Sequence, residues 1–491
     1  MKYLLSIDQG TTSSRAILFT EKGMFLASAQ EEFKQHFPKD GWVEHDPDDI
    51  LQTVLRSCKK VLIDNNIFAS DISAIGIANQ RETTLVWDKT SGKAIYNAIV
   101  WQDRRTMAFC QSIRSEETES LIKSHTGLLL DPYFSASKIA WLLDNVKGAR
   151  TQAEQEQLLF GTVDSYLIWH LTGGKNHVTD ATNASRTMLF NIHTQDWDAQ
   201  LLELFNLPKS MLPQVLDSSD EFGVTDEHFF DGEIPILGVA GDQQAALFGQ
   251  ACFEKGMAKC TYGSGAFLML NTAEQALSSK NKLLTTVAYR LNGEVTYAIE
   301  GSIFNAGTTI QWLRDEMHLI NHAADSEVIA EQTAIDHGVF LVPAFTGLGA
   351  PYWDPSARAA IVGLTRDSGA NEIISAGLQS VAYQTKDLQK AMESDGLRPN
   401  VLRVDGGMVA NNWLLNFLAD ILEAKVERPQ IIETTALGVA YLAGLKAGLF
   451  HSTEQLAKLW HCQKSFTAKM SSEQRNSLYQ QWKSAINKVK S

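Results

Sequence analysis

The first candidate site is an acidic residue followed by a hydroxyl-rich turn near the start of the chain. The short apolar run from Tyr3 to Ile7 predicts a buried strand, and Asp8 follows it. Gly10 would let the backbone approach a ligand closely. The turn then offers hydroxyl and backbone N–H groups to phosphate oxygens, from Thr11, Thr12 and Ser13. The chain has no Walker-type loop, so we predict a different kind of phosphate-binding turn, with an ordinary hairpin as the alternative.

Two more candidates follow apolar runs. Arg81 and Glu82 come after the run 72–78 and place a rigid donor fork beside an acceptor. Such a pair suits a polyhydroxylated ligand, because each hydroxyl both donates and accepts; a surface ion pair is the alternative. Trp101 and Tyr133 could form a wall against the carbon chain of a small polyol, although aromatic residues more often pack in the core.

A carboxylate also stands where a strand meets a helix. The run Ile236 to Ala240 predicts a strand, Asp242 follows at its tip, and a helix begins at Gln243. A carboxylate in this place can accept a proton from a substrate. The position also suits a helix N-cap, and the two roles are compatible.

Glycine-containing turns mark the second half of the chain. They are a Gly-Ser-Gly turn at Ser264, a helix start at Gly307 and a Gly-Gly turn at Gly406 and Gly407. Glycine lets a flat group approach the backbone, so these turns together predict an adenine or ribose site.

The composition is that of a globular protein of two or three domains, with 491 residues, 44% hydrophobic and 20% charged. The net charge of −14 argues against nucleic acid or an anionic membrane as the main partner. Five scattered cysteines suggest neither a disulfide framework nor a zinc site, and they fit a reducing compartment. Because neither a signal peptide nor a membrane span is predicted, we expect a cytoplasmic protein.

The elements that would position these residues follow a similar pattern twice. Three strands, a helix from about Asp46 to Asn65 and a fourth strand open the first half. A strand, a glycine and hydroxyl turn, another strand and a hairpin at Asn292-Gly293 open the second. We therefore predict an α/β fold with a duplicated domain, a central cleft and a boundary near Phe248. Helices are expected at 371–392, 411–422 and 433–447, then a helix-prone tail anchored by Trp460 and Trp482.

Many of these stretches resemble the FGGY family of carbohydrate kinases and, within it, the glycerol kinases. The similar segments lie between about residues 3 and 447, at 8–15, 41–47, 79–84, 96–102, 131–135, 183–191, 240–250, 343–355 and 403–412. The resemblance implies the duplicated actin-like ATPase fold, which is ribonuclease H-like. It also implies an N-terminal domain at residues 1–247 and a C-terminal, nucleotide-binding domain with a helical tail at 248–491.

The resemblance further implies ATP-dependent phosphorylation of glycerol to sn-glycerol 3-phosphate with Mg²⁺, the first step of glycerol catabolism. Asp242 would be the general base, and Asp8 would position the metal. Glycerol would be held by Arg81, Glu82, Trp101, Tyr133, Asp242, Gln243 and Phe267. The nucleotide and its phosphates would be held by Thr11, Thr12, Ser13, Arg15, Ser264, Gly307, Gln311, Gly407 and Asn411. Ser264 replaces an expected Thr and keeps the hydroxyl.

A regulatory role is implied for one histidine. The loop 225–235 is short and acidic, which makes it a poor site for a sugar bisphosphate. It is similar to a loop of Gram-positive glycerol kinases, whose histidine is phosphorylated by a phosphocarrier protein of the sugar phosphotransferase system. His228 matches that histidine, and an ordinary exposed loop histidine is the alternative. Family analogy also implies a homodimer or homotetramer.

The sequence is also compatible with two other functions. A kinase for xylulose, gluconate or erythritol would share the fold but would need a wider pocket than Trp101, Tyr133 and Phe267 predict. A partner-binding ATPase of the actin or chaperone type would share the nucleotide site. It would give no reason for Arg81, Glu82 and Asp242.

Overall fold

The computed structural model describes residues 2–354 and 356–490. Pro355, which ends one of the family-like segments, and the outermost residues of the two predicted domains, 1 and 491, lie outside the described residues. Two large sheets with surrounding helices form the molecule.

Strands and helices both occur throughout the first half of the chain. The strands are β1 (Tyr3–Gln9), β2 (Ser13–Thr20), β3 (Phe25–Glu32), β4 (Glu44–His45), β5 (Ile72–Asn79), β6 (Leu85–Asp88), β7 (Ala98–Ile99), β8 (Leu158–Gly161), β9 (Val178–Asp180), β10 (Phe190–Asn191), β11 (Asp196–Trp197), β12 (Gln214–Leu216), β13 (Ser219–Val224) and β14 (Pro235–Gly241). The helices are α1 (Pro47–Asp64), α2 (Met107–Ser112), α3 (Glu116–Thr126), α4 (Ser135–Asn145), α5 (Ala149–Glu154), α6 (Val163–Leu171), α7 (Ala181–Ala184), α8 (Ala199–Leu204), α9 (Glu227–Phe230) and α10 (Asp242–Gly249).

The second half contains fewer strands and longer helices. The strands are β15 (Met257–Tyr262), β16 (Ala266–Ala273), β17 (Leu284–Leu291), β18 (Glu294–Ile303), β19 (Phe340–Val342), β20 (Ala360–Val362), β21 (Val401–Asp405), β22 (Lys425–Pro429) and β23 (Cys462–Phe466). The helices are α11 (Gly307–Asp315), α12 (Asp325–Gln332), α13 (Ala370–Ser394), α14 (Asn412–Leu422), α15 (Thr434–Lys446), α16 (Thr453–Leu459) and α17 (Ser472–Val489).

The first sheet brings three of the predicted site segments to one edge. Its strand order over the described residues is β13-β14-β5-β1-β2-β3. β1 pairs antiparallel with β2, and β1, β5 and β14 run parallel to one another. Gln9, Asn79 and Gly241 are in register across these three strands. Asp8, Arg81 and Asp242 therefore come from neighbouring strand ends, as is usual for ligand sites in such sheets.

The second sheet repeats this arrangement. Its order over the described part of the chain is β17-β18-β16-β15-β21-β22-β23. β15 pairs antiparallel with β16 and parallel with β21, just as β1 pairs with β2 and β5. The predicted duplication of an α/β domain is confirmed.

Most of the predicted elements are present, with two corrections. β1 continues to Gln9, so Asp8 lies inside the strand rather than after it. The N-cap of α10 is Gly241, and Asp242 is the first helical residue, so the N-cap interpretation of Asp242 is wrong. The tail is anchored as predicted: Trp482 is fully buried, and the Trp460 indole N–H donates to Gln250 Oε1 at 3.0 Å.

Two helices join the sheets through direct backbone contact. A Cβ added to Gly438 on α15 would lie 1.9 Å from the carbonyl oxygen of Ala245 on α10. A Cβ added to Gly249 at the end of α10 would lie 2.0 Å from the Thr434 carbonyl oxygen, at the start of α15. α15 also packs on the first sheet, since a Cβ at Gly76 of β5 would meet the Val439 carbonyl oxygen at 2.2 Å. Glycine is therefore required where these elements cross.

No helix in the described residues is long and apolar enough to cross a membrane.

Candidate active site

A buried ion cluster lies beneath the edge where β1, β5 and β14 end. Arg81 binds Glu300 with both terminal nitrogens, Nη1 to Oε2 at 2.6 Å and Nη2 to Oε1 at 3.3 Å. Arg186 donates from Nη2 to Glu300 Oε1 at 2.9 Å and from Nε to Glu82 Oε1 at 2.6 Å. None of the four residues is more than 3% exposed. Two positive and two negative charges thus balance each other away from water.

The two carboxylates of this cluster differ in their electrostatics. Burial by itself would raise the pKa of Glu300, but the charges of Arg186 and Arg81 outweigh it and hold that pKa at about 2. For Glu82 burial dominates and raises the pKa, against the opposing effect of the same two arginines. Glu300 is therefore the firmly ionised carboxylate that both arginines share.

Asp242 and Gln243 lie beside the cluster at the start of α10. Arg81 Nε is 3.2 Å from Asp242 Oδ1, and the Gln243 backbone N–H donates to the same oxygen at 2.7 Å. The Gln243 side-chain oxygen accepts a hydrogen bond from Lys259 Nζ on β15. The amide NH₂ of Gln243 thus stays available as a donor. The Asp242 side chain is 29% exposed, so its carboxylate opens to the cleft while Arg81 is buried.

Three aromatic rings gather around Arg81. Trp101 packs edge to face on Tyr133 and on Phe267, with ring centroids 5.6 and 6.3 Å apart. The Arg81 guanidinium carbon lies 5.8 Å from the Phe267 ring centre. The Trp101 indole N–H donates to Thr11 Oγ1 at 2.9 Å, which links this wall to the hydroxyl-rich turn. Tyr133 also belongs to the core, so the wall and core interpretations both apply to it.

Asp8 and Arg15 face each other across the β1–β2 pairing. Burial raises the pKa of Asp8 to about 7, Arg15 opposes this rise, and Asp242 and Glu433 add to it. Arg15 forms an ion pair with Glu433 just before α15. A cation bound beside this buried carboxylate would favour its ionised form.

The glycine turns of the second half adjoin one another. The first backbone N–H groups of α11, from Gly307 onward, donate to carbonyls of the Ser264 turn at 3.0 and 3.1 Å. Gly406 has φ 91°, and a Cβ there would lie 2.5 Å from the Tyr262 carbonyl oxygen, at the end of β15. Gly407 has no heavy atom within 4 Å of the position of a Cβ. The turns that contain Ser264, Gly307 and Gly407 therefore adjoin one another, since a Cβ on Gly307 would lie 2.6 Å from the Gly263 carbonyl oxygen and 3.6 Å from Met408 Cγ.

Three other predicted nucleotide residues lie outside these contacts between the turns. Asn411 Oδ1 accepts from the Leu414 N–H at 2.8 Å, so its side chain caps α14. Gln311 is exposed one turn beyond Gly307 on α11, and Thr12 is exposed in the first turn.

His228 lies apart, on the short helix α9. Its side chain is 63% exposed, and its Nδ1 is 2.6 Å from Asp226 Oδ1. Within the described part of the chain, His228 contacts none of the other predicted site residues.

Four charged residues of the site are absent from the sequence-based prediction: Arg186, Glu300, Lys259 and Lys138. Lys138 on α4 donates from Nζ to the backbone carbonyls of Tyr133 and Phe134 at 2.6 and 3.2 Å. Glu300 and Lys259 each stand in a strand of otherwise largely apolar residues. A charge in a buried strand needs a partner, and that pattern was the available signal.

Two family models divide the chain between them. The N-terminal domain of the FGGY family of carbohydrate kinases matches residues 3–249, and the C-terminal domain of the same family matches residues 258–447. The fold is that of a two-domain carbohydrate kinase with actin-like ATPase architecture. The chain belongs to the FGGY family of carbohydrate kinases.

Full-length relatives are similar to this chain from end to end. The glycerol kinase of Alteromonas mediterranea is 63% identical over 490 residues, which covers 100% of this chain and 99% of the relative. Glycerol kinase 1 of Pseudomonas aeruginosa is 60% identical over 489 residues, with coverage of 100% and 99%.

Solved structures share the fold. The Plasmodium falciparum glycerol kinase with ADP superposes with a TM-score of 0.93 at 36% identity, covering 100% of this chain and 98% of that one. A ligand-bound xylulose kinase from Lactobacillus acidophilus reaches a TM-score of 0.88 at 21% identity, covering 98% and 96%, a likeness of fold alone.

Lys138 is predicted to set the position of the Tyr133 wall. Burial lowers the pKa of Lys138 to about 8, opposed by Glu82 and Asp103, so the amine is charged near neutral pH. Lys138→Met removes the charged donor from the Tyr133 and Phe134 carbonyls. In steady-state assays, we expect the KM for the substrate that accepts the phosphoryl group to rise about tenfold. The KM for the nucleotide should stay within about twofold of the wild-type value.

Lys386→Met provides the matched control. Lys386 is also buried, its pKa is also lowered to about 8 by burial, and it donates to Gln389 and to the Leu422 carbonyl in the second half. This variant should lose stability without a change in acceptor KM. Equal acceptor KM values for wild type and Lys138→Met would contradict the prediction.

Proposed function

We propose that the protein transfers the γ-phosphoryl group of ATP to a terminal hydroxyl of glycerol, giving sn-glycerol 3-phosphate in the first step of glycerol catabolism. The observation that carries the proposal is the convergence of Arg81, Asp242 and Gln243 beside a wall of aromatic rings. Such a site matches a short polyol, with hydroxyls on one side and carbons on the other. Full-length identity to glycerol kinases supports the same substrate.

Each side chain has one task in this proposal. Arg81 donates to glycerol hydroxyl oxygens, Glu82 accepts from a hydroxyl, and Gln243 donates from its NH₂ group. Trp101, Tyr133 and Phe267 pack on the carbon chain. These contacts hold the terminal hydroxyl for in-line attack, which is the main requirement for phosphoryl transfer.

Asp242 serves as the general base. The hydroxyl oxygen forms a bond to the γ-phosphorus as the bond from that phosphorus to the bridging oxygen of ADP breaks. The hydroxyl proton passes to the Asp242 carboxylate and later to solvent. Phosphate is neither oxidised nor reduced, and ADP leaves with the bridging oxygen.

The chain also fits Mg²⁺ and ATP. Magnesium needs only one or two carboxylates when phosphates and water complete its coordination, and Asp8 offers a carboxylate with a raised pKa. No group of three or more His, Cys, Asp or Glu residues suited to a metal occurs in the described ranges, which agrees with such a shared site. When bound, the ion would neutralise phosphate charge. The phosphates would meet Thr11, Thr12, Ser13 and Arg15, and the nucleoside would meet Ser264, Gly307, Gln311, Gly407 and Asn411.

ADP release with Mg-ATP tests the substrate directly. The purified protein is assayed with glycerol, dihydroxyacetone, erythritol, xylulose and gluconate. We expect strong turnover with glycerol and formation of glycerol 3-phosphate. Preference for a larger polyol would refute the three-carbon pocket, and turnover without any polyol would indicate a partner-binding ATPase.

Asp242→Asn tests the base. The amide keeps the size of the side chain but cannot take up the proton, so kcat should fall at least about a hundredfold. The glycerol dissociation constant, measured by calorimetry, should change by less than about threefold. Asp88→Asn, at the end of β6 where the carboxylate accepts, among the described residues, only from the Thr90 and Ser91 turn, is the control with normal kcat. An Asp242→Asn enzyme with full turnover would eliminate the base assignment.

We also propose that His228 accepts a phosphoryl group from a phosphocarrier protein of the sugar phosphotransferase system. Its exposure and the Nδ1 contact to Asp226 support this, because a proton fixed on Nδ1 leaves the Nε2 lone pair free to attack phosphorus.

Mass spectrometry after incubation with the phosphorylated carrier should therefore find phosphate on His228. His228→Ala should stay unlabelled and keep its basal activity. An unlabelled wild-type protein would rule out this role.

We propose that the domain boundary lies between residues 247 and 248, and the two family-model ranges support a division in this region.

We also propose that the protein forms a homodimer or a homotetramer, and light scattering would measure its mass in solution. We also propose a cytoplasmic location, supported by five cysteines without disulfide bonds.

A further inference from the structure

Glu300 joins the two halves of the molecule at the active site. It belongs to β18 of the second sheet, whereas both of its partners, Arg81 and Arg186, come from the first half. Glu300 and Arg186 are 0% exposed, so the contact is sealed from water. The first half supplies Glu82 and Asp242 as partners for one arginine each, whereas the carboxylate that both arginines share comes from the second sheet.

The Glu300 contact fixes the direction of Arg81. Nη1 and Nη2 each donate one N–H to the Glu300 carboxylate, and the second Nη1 N–H donates to Gln244 Oε1 at 3.3 Å, which leaves the second Nη2 N–H for a glycerol hydroxyl. A bidentate pair holds the guanidinium plane as well as its distance. Nε is then left directed toward Asp242 Oδ1, at 3.2 Å.

We propose that Glu300 is a positioning residue for substrate affinity. It holds Arg81 in the orientation that receives glycerol, and it makes this orientation depend on the second domain. The inference rests on the proposed function of Arg81 in polyol binding. Any displacement of β18 relative to β5 moves the carboxylate that orients Arg81, so glycerol affinity and domain position are coupled through one side chain.

Stability alone does not explain the arrangement. A buried ion group adds little stability over apolar side chains of the same volume, because its desolvation costs about as much as the attraction returns. Arg186 stacks over Phe134 at 5.4 Å and has no hydrogen-bond partner for Nη1 among the described residues, so the cluster is not optimised for bonding. The contact between the cluster and Asp242, through Arg81 Nε at 3.2 Å, is explained by the need to orient Arg81.

Glu300→Gln tests the inference, because glutamine keeps the shape and removes the charge. We expect the glycerol dissociation constant and KM to rise at least about tenfold, kcat to fall less than about threefold, and the KM for ATP to stay within about twofold. A merely structural residue would lower the thermal midpoint without this split between KM and kcat.

Asp217→Asn is the matched control. Asp217 pairs with Arg290 of β17, so this is a second ion pair between the two halves, less deeply buried than that of Glu300 and outside the predicted site. It should lower the thermal midpoint and leave glycerol KM unchanged. A glycerol KM for Glu300→Gln equal to that of Asp217→Asn would overturn the inference.

A second variant shows whether poor folding explains the result, and a double mutant shows whether Glu300 acts through Arg81. Glu300→Asp keeps the charge at a shorter reach and should give a glycerol KM between wild type and Glu300→Gln. In an Arg81→Gln background, Glu300→Gln should add no further loss of glycerol binding, because it acts through Arg81. An additive loss would refute the proposal.

The wild-type acceptor scan separates the two hypotheses. If another polyol is the preferred acceptor, glycerol phosphorylation is wrong, and the same Glu300 series is measured with that polyol. If glycerol is the acceptor and Glu300→Gln changes only the thermal midpoint, the role of Glu300 is wrong and the proposed function stands.

Discussion

The neutralisation of two buried arginines by two buried glutamates is the constraint on which the site depends. In a medium of low dielectric constant, an unpaired guanidinium costs several kcal/mol, about as much as a whole domain can spare. Arg81 and Arg186 can be buried only because Glu82 and Glu300 are placed against them. Since Glu300 comes from the second sheet, the two domains must pack in one relative arrangement before the cluster is complete.

The crossing of α10 and α15 provides that arrangement. Direct contact at Gly249 and Gly438 brings the helix backbones closer than side chains would allow. α10 follows β14 of the first sheet and starts with Asp242 and Gln243, and Glu433, which precedes α15, pairs with Arg15 of β2. Each of the two crossing helices thus carries site residues at its start, so a change in crossing geometry would move several of them together.

The site mixes charges of both signs within an acidic protein. The chain carries −14, and Arg15, Arg81 and Lys259 line the region where the phosphates and polyol are proposed to bind, each beside an acidic or polar partner. A few placed cationic side chains can bind a phosphorylated ligand without giving the whole protein an affinity for polyanions. Burial raises the pKa of Asp8 within the same region. A cation bound beside Asp8 would therefore favour the ionised form of its carboxylate.

The sequence by itself determined the local elements and the residues at their ends. Apolar runs, glycine turns and helix-start signals predicted the strand that contains Asp8, the strands before Arg81 and Asp242, and the duplicated order of elements, because these depend on neighbouring residues. Tertiary structure alone decided that Glu300 would serve Arg81, that Lys259 would orient Gln243, and that Gly438 would lie against Ala245. Those partners are separated by many residues, and only the packing of two sheets brings their charges and backbones within reach. Asp242 became the first residue of its helix rather than the cap for the same reason, since its carboxylate turns toward Arg81.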